Sequence, residues 1–264
     1  MIRYLLTIIE EEFEVKRKVE DLSERFNGMA ADASEALEES NFTPKKVIYF
    51  LKMPDPFFKT RNEHMDFLDT LNVAGDVLDL FISLNSYWDH FNYHLLERLI
   101  MAPHIEKKIE DKEEWQRLQA AMKQYVQDMD VFRRKTTLGV YYKVFDKQKK
   151  EVPEGFQKLI TKHDWSKANT LQDVEDFRQR VAVKYQFHVC LVFLKNIAFG
   201  SVVLTWWIPK CLVAPSILPE GGLFDDDDEV LMASLEGITD SEVARAERCM
   251  FCAFDWTILM SRGT

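Results

Sequence analysis

The 264 residues are 47% apolar and 12% aromatic, ample for a sizeable buried core, so the composition is not that of a disordered chain. A formal net charge of −10 argues against general binding to a phosphate backbone, and the basic runs at Arg133-Arg134-Lys135 and Lys147 to Lys150 read as solvated helix ends or loops. The start of the chain lacks the basic residues, apolar run and small-residue cleavage site of an export signal, which points to a cytoplasmic protein with reduced thiols at Cys190, Cys211, Cys249 and Cys252.

Ile2, Leu6, Ile9 and Phe13, then Val15, Val19, Leu22 and Phe26, recur at helical spacing through a highly charged stretch. They predict an amphipathic helix laid against the rest of the chain, with a docking or coiled-coil role as the alternative. Asn27-Gly28 marks an expected break, and Ala30 to Ser40 a second, more polar helix. Thr43-Pro44 has the form of an N-cap followed by proline at the first helical position, although Val47 to Leu51 also reads as a short strand. Met53-Pro54-Asp55-Pro56 ends that element, which makes 1–60 an N-terminal helical segment.

Residues 61–136 read as a helical subdomain. Its heart is Leu78 to Met101, where Trp88, Phe91, Leu95 and Leu99 form a stripe behind Ser86, a cap, and Pro103 ends the helix. Leu118, Met122, Tyr125, Met129 and Phe132 bury one face of a further helix, and the two make an αα-hairpin. Residues 137–264 read as an α+β subdomain: Val140 to Phe145 as a strand, Phe156 to Trp165 as strand or short helix, and Thr170-Leu171-Gln172-Asp173 as a capping box. That box opens a helix buried through Val174, Phe177, Val181 and Tyr185.

Phe187 to Pro209 organises this half, as two strands turning at Phe199-Gly200-Ser201. Apolar on both faces, the first arm belongs in the middle of a sheet covered on each side. His188, Lys195, Asn196 and Gly200 interrupt the run short of a transmembrane segment. Asp225 to Glu229 open a helix through Leu235, and Cys249 to Met260 is a last apolar element of either type. The fold class is therefore α+β, an N-terminal helical region with an αα-hairpin followed by a small, mostly antiparallel sheet with helices packed on it.

Chemical motifs are sparse. His90 and His94, four apart on a helix, have metal-ligand spacing with Asp89 and Glu97 in reach, yet Phe91 stands where a zinc protease carries its glutamate, and two core-bordering histidines are the simpler reading. Cys249 and Cys252 lack a second pair, and the acidic run Asp225 to Glu229 suits a helix N-terminus. His163, Asp164 and Ser166 have no nucleophile elbow to join, and neither a phosphate loop nor any cofactor signature occurs.

Trp88, Phe91-Asn92-Tyr93, Leu95-Leu96-Glu97, Tyr125, Phe132, Thr136-Thr137-Leu138, Thr170-Leu171, Val174-Glu175, Phe177-Arg178, Gly200-Ser201-Val202, Thr205-Trp206 and Ile208-Pro209 resemble a module of invertebrate intracellular proteins. The resemblance spans roughly residues 63 to 210. That module often stands beside death-fold, ankyrin or nucleotide-binding signalling domains, and the resemblance implies a partner-binding role.

The expected function is a non-enzymatic protein-interaction or regulatory module. Tyr87, Tyr93 and Trp207 are candidate contact residues if exposed and core residues if not. The alternative is an enzyme or small-ligand binder with a site between the helical half and the sheet, using His163, Asp164 and His188.

Overall fold

The computed structural model describes residues 2–53, 62–144, 152–153, 155–163, 169–184, 188–198, 202–209 and 230–236. It is an α+β protein with its helices first. Helix α1 (Ile2–Glu39) runs without a break through Asn27-Gly28. The expected interruption does not occur because that pair faces solvent, while Leu22, Phe26, Met29, Ala33 and Leu37 continue one buried stripe past it. A helix committed to a core by such a stripe tolerates an exposed glycine at a cost of about 1 kcal/mol. Ala33 and Ala36 are both buried, and α1 lies along α3 (Val77–Leu84), α6 (Lys112–Lys135) and α7 (Leu138–Val144).

Thr43 caps α2 (Pro44–Lys52), its side chain accepting from the Lys46 amide with Pro44 in the first turn, so 47–51 is helix and not strand. The helix expected over 78–101 is two. Asn85 ends α3 and takes the Trp88 indole N–H at 2.8 Å. The Asp89 carboxylate then accepts the Phe91 and Asn92 amides at 2.9 and 2.8 Å, a side-chain turn that competes with helix, and α4 (His94–Ile100) starts only afterwards. As read, the helix stops ahead of Pro103, α4 closing at Met101, and Pro103 itself opens the short α5 (Pro103–Glu106). Asp111 caps α6, which packs on both α1 and α4.

Val140 to Val144, read as strand, is helical in α7. Its aromatic and β-branched residues are overruled by tertiary packing: Leu138 and Tyr141 are buried, and the Leu138 amide is held by Asn169 O at 2.9 Å. The capping box forms as read, with the Thr170 amide on Asp173 Oδ2 at 2.7 Å and the Asp173 amide on Thr170 Oγ1 at 3.3 Å, and α8 (Leu171–Lys184) follows.

Among the described residues four antiparallel strands, β1 (Phe156–His163), β2 (Phe193–Ala198), β3 (Val202–Pro209) and β4 (Val230–Glu236), lie in the order β2-β3-β1-β4. Among the described residues the first arm of the apolar run is thus an edge strand, and β3 and β1 are the interior ones. Residues Val189–Leu191 ahead of it form a turn of 3-10 helix. Residues 230–235, expected as helix, pair with β1, whose inner position needs a partner on its second side. The expected acidic helix start, the CxxC pair and the turn at 199–201 lie outside the described residues.

Both faces of β3 are buried. Trp206 meets Phe177 of α8 on one, its indole N–H donating to Thr161 Oγ1 at 3.0 Å, and Trp207 lies under Lys195 on the other. Phe67, Tyr87, Phe156 and Phe193 form an aromatic cluster with centroids 4.8–6.0 Å apart, which ties the helical half to the sheet. One continuous core runs from Leu22 to Ile208.

Candidate functional site

Where α4, α6 and α8 converge, the core is polar. Glu175 and Arg178 of α8, Arg133 of α6, His94 of α4 and Asn92 just ahead of it are all buried. Glu175 Oε1 lies 3.2 Å from His94 Nε2, and Oε2 lies 3.1 Å from Arg133 Nη1 and 3.5 Å from Arg178 Nη1. Arg178 Nη1 also reaches His94 Nδ1 at 3.0 Å and Phe91 O at 3.3 Å, and Nη2 reaches Asn92 Oδ1 at 3.1 Å. Arg133 Nη1 donates to Tyr93 OH at 3.2 Å.

The protonation pattern follows from donor chemistry. A guanidinium can only donate, so His94 Nδ1 accepts from Arg178, and Nε2 carries the proton it presents to Glu175. That is neutral imidazole. Burial, joined by Arg178 and Arg133, holds His94 below its ordinary range against the pull of Glu175. For Glu175, burial alone would raise the carboxyl, but Arg178, His94 and Arg133 together outweigh it and hold it well below the carboxylate range.

Asn92 joins this cluster to the sheet: its Nδ2 donates to Leu194 O at 2.9 Å and its Oδ1 accepts the Leu194 amide at 2.8 Å. The same Nδ2 donates to Asp89 Oδ2 at 2.8 Å. Burial would raise Asp89, but Lys195, His90 and the Asn92 hydrogen bonds leave it lowered. Lys195 Nζ lies 3.8 Å from Asp89 and bonds Tyr87 O at 2.8 Å.

Against one side of the Glu175 cluster lies a cavity of about 680 Å³. Its walls are apolar along Phe50, Met53, Met101, Val126 and Val189, and its polar end gathers Tyr93, His94, Glu97, Arg133 and Glu175. Helix α4 supplies His94 and Glu97 one turn apart, α6 supplies Val126 and Arg133, and α8 supplies Gln172, Glu175 and Gln179. Arg98 Nε and Nη2 are held by Leu51 O and Met53 O at 3.1 and 2.6 Å. Burial holds Glu97 above the usual carboxylate range, with Glu175 adding to the rise and Arg133 opposing it. A volume of this size with apolar walls and converging polar groups is what small-molecule sites have in common.

The residues singled out from sequence are dispersed. Tyr87, Tyr93 and Trp207 are only 4%, 2% and 3% exposed, the core alternative stated for them. Tyr87 sits in the inter-half aromatic cluster, Tyr93 is stacked on His94 with centroids 4.3 Å apart, and Trp207 is covered by Lys195. His90 and His94 do not share a face toward a metal: His90 Nε2 meets Tyr141 OH at 3.2 Å, whereas His94 is committed to Glu175 and Arg178. Among the described residues no group of three or more His, Cys, Asp or Glu is placed to hold a metal, and no helix is long and apolar enough to cross a membrane. His188 lines the cavity; Asp164 lies outside the described residues, as does Ser166. Cys190 is buried and forms no disulfide with a described residue.

Sequence reasoning missed Arg133, Glu175 and Arg178 as site residues, because charged side chains on amphipathic helices ordinarily face water. The available signal was that Asn92, Tyr93, Glu97, Glu175 and Arg178 all fall among the residues carrying the resemblance.

Fold and site together define an α+β protein in which a buried ion cluster forms one end of a cavity between the helical half and α8. No known protein family, curated protein or solved structure matches the chain.

Proposed function

We propose that this chain binds a small molecule in the cavity between its helical half and α8. The observation that carries the reading is the cavity itself, about 680 Å³ with apolar walls and a polar end on a fixed ion cluster. Fixed polar groups orient a ligand at little entropic cost, and apolar walls supply the affinity. The reading is of binding and not of catalysis, since both ring nitrogens of His94 are already engaged.

Ligand-observed NMR against a panel of amphiphilic aromatic compounds tests it, with Val126→Trp, which fills the cavity from α6, as the control. Binding by the native chain and its loss in a Val126→Trp protein of native circular dichroism are expected. Equal binding by both proteins, or no binding at millimolar concentration, would refute the site.

A second reading, a protein-interaction module, is the one implied by the resemblance. Its specific support is Leu78 and Ile82, one turn apart on α3 and 52% and 58% exposed. Co-purification with a Leu78→Glu, Ile82→Glu protein tests it, because a stoichiometric partner that the variant retains is not bound through α3.

A further inference from the structure

We infer that the ligand of the cavity is an amphiphilic amine, its nitrogen on the Glu97 carboxyl and its apolar body along Phe50, Met53, Met101, Val126 and Val189. This rests on the small-molecule reading above and assigns the chemical class that the cavity selects.

The two guanidiniums that line the cavity are occupied. Arg98 holds the carbonyls of Leu51 and Met53, and Arg133 holds Glu175 and the Tyr93 hydroxyl. The Nε N–H of Arg133 has no acceptor, but that atom is buried out of solvent contact and presents nothing to an incoming anion. His188 Nδ1 accepts the Cys190 amide at 3.1 Å, and the His104 ring lies beside Phe50.

The acids divide differently. Glu175 is matched by Arg133, Arg178 and His94, and Asp176 is exposed and accepts from Gln172 at 2.7 Å. Glu97 is half-buried, lines the cavity, and has neither a hydrogen bond nor an ion pair with any described residue. A half-buried carboxyl without a donor is costly to leave so, and an ammonium N–H is the donor that satisfies it best. Burial that holds the empty Glu97 above its usual range is the same cost, seen as a proton preference. Aromatic and thioether groups on the walls, Phe50, Met53 and Met101, suit the hydrocarbon part of such a ligand.

The test is calorimetric titration of the full chain with three probes sharing one apolar body: 4-phenylbutylamine, 4-phenylbutanoate and 4-phenylbutan-1-ol. The amine is expected to bind tightest, and Glu97→Gln to weaken it by about ten- to a hundred-fold while leaving the alcohol within about two-fold. Glu97→Asp, which keeps the charge and shortens its reach, is expected to retain part of the preference. The carboxylate or the alcohol binding as well as the amine, or an amine affinity that Glu97→Gln leaves unchanged, would overturn the amine assignment and leave the cavity reading standing. Failure of all three probes to bind would overturn the cavity reading and this assignment with it.

Discussion

Glu175→Gln removes one negative charge from a site where two cations remain. Arg133 and Arg178 are only 5% and 0% exposed, with the Glu175 carboxylate between them at 3.1 and 3.5 Å. Glutamine keeps the shape and one acceptor but no charge, so two buried guanidiniums are left facing each other. Breaking a buried pair in this way costs about 3–5 kcal/mol, well above the roughly 1 kcal/mol of an exposed pair. For a chain of this size each kcal/mol moves the midpoint by roughly 2–4 °C, so a loss of about 6–20 °C is expected. Thermal and urea unfolding followed by circular dichroism measure it. Adding Arg133→Met to the Glu175→Gln protein removes one unmatched cation and is expected to restore about 1–2 kcal/mol. A Glu175→Gln protein within about 1 kcal/mol of the native chain, or a double variant less stable than the single, would refute the view that this cluster is held by charge balance.

The native chain is expected to lose stability as pH falls below about 6.5, because His94 and His90 are held below the imidazole range by burial and must gain protons to unfold. A second loss follows below about 4.3, as the depressed Glu175 is protonated more readily unfolded than folded. A urea series from pH 8 to 3 measures both, and His94→Gln should shrink the first step to the share of His90. Gly28→Ala should stabilise by about 0.5–1 kcal/mol, since a Cβ there meets nothing within 4 Å and the helix is continuous; a lower urea midpoint would contradict that. Asn92→Ala should destabilise by about 2–4 kcal/mol, because it orphans both backbone groups of Leu194 and one Arg178 donor; a loss under 1 kcal/mol by urea unfolding would show those groups re-satisfied.

Local signals were legible. Thr43-Pro44 and Thr170 to Asp173 act within one turn, so they hold whatever packs around them, and the Leu118 to Phe132 stripe spans enough turns to fix its helix. Where the reading failed, a distant partner decided. Residues 140–144 are helical because Leu138 is anchored to Asn169 O, and residues 230–235 are extended because β1 is open on that side. The Leu78 to Met101 stripe was genuine as burial but not as helix, since Asp89 turns the chain within it. The site was the least legible part. Glu175 and Arg178 are ordinary helix residues in sequence and become a site only when α6 brings Arg133 across to them.

The double bond from Asn92 to Leu194 has a consequence for how molecules of this protein meet one another. Among the described residues β2 is an outer strand, and an outer strand carries outward-facing amides and carbonyls that invite a foreign strand to zip on. Here one side-chain amide occupies both backbone groups of Leu194, the Lys195 ammonium stands next to it, and the register slips between Leu194 and Asn196. The loop between α3 and α4 is in effect a one-residue surrogate strand that seals this margin of the sheet. Self-templated growth along β2 therefore requires the helical half to let go first, which couples resistance to polymerisation to the integrity of the same loop that carries Tyr93 to the cavity.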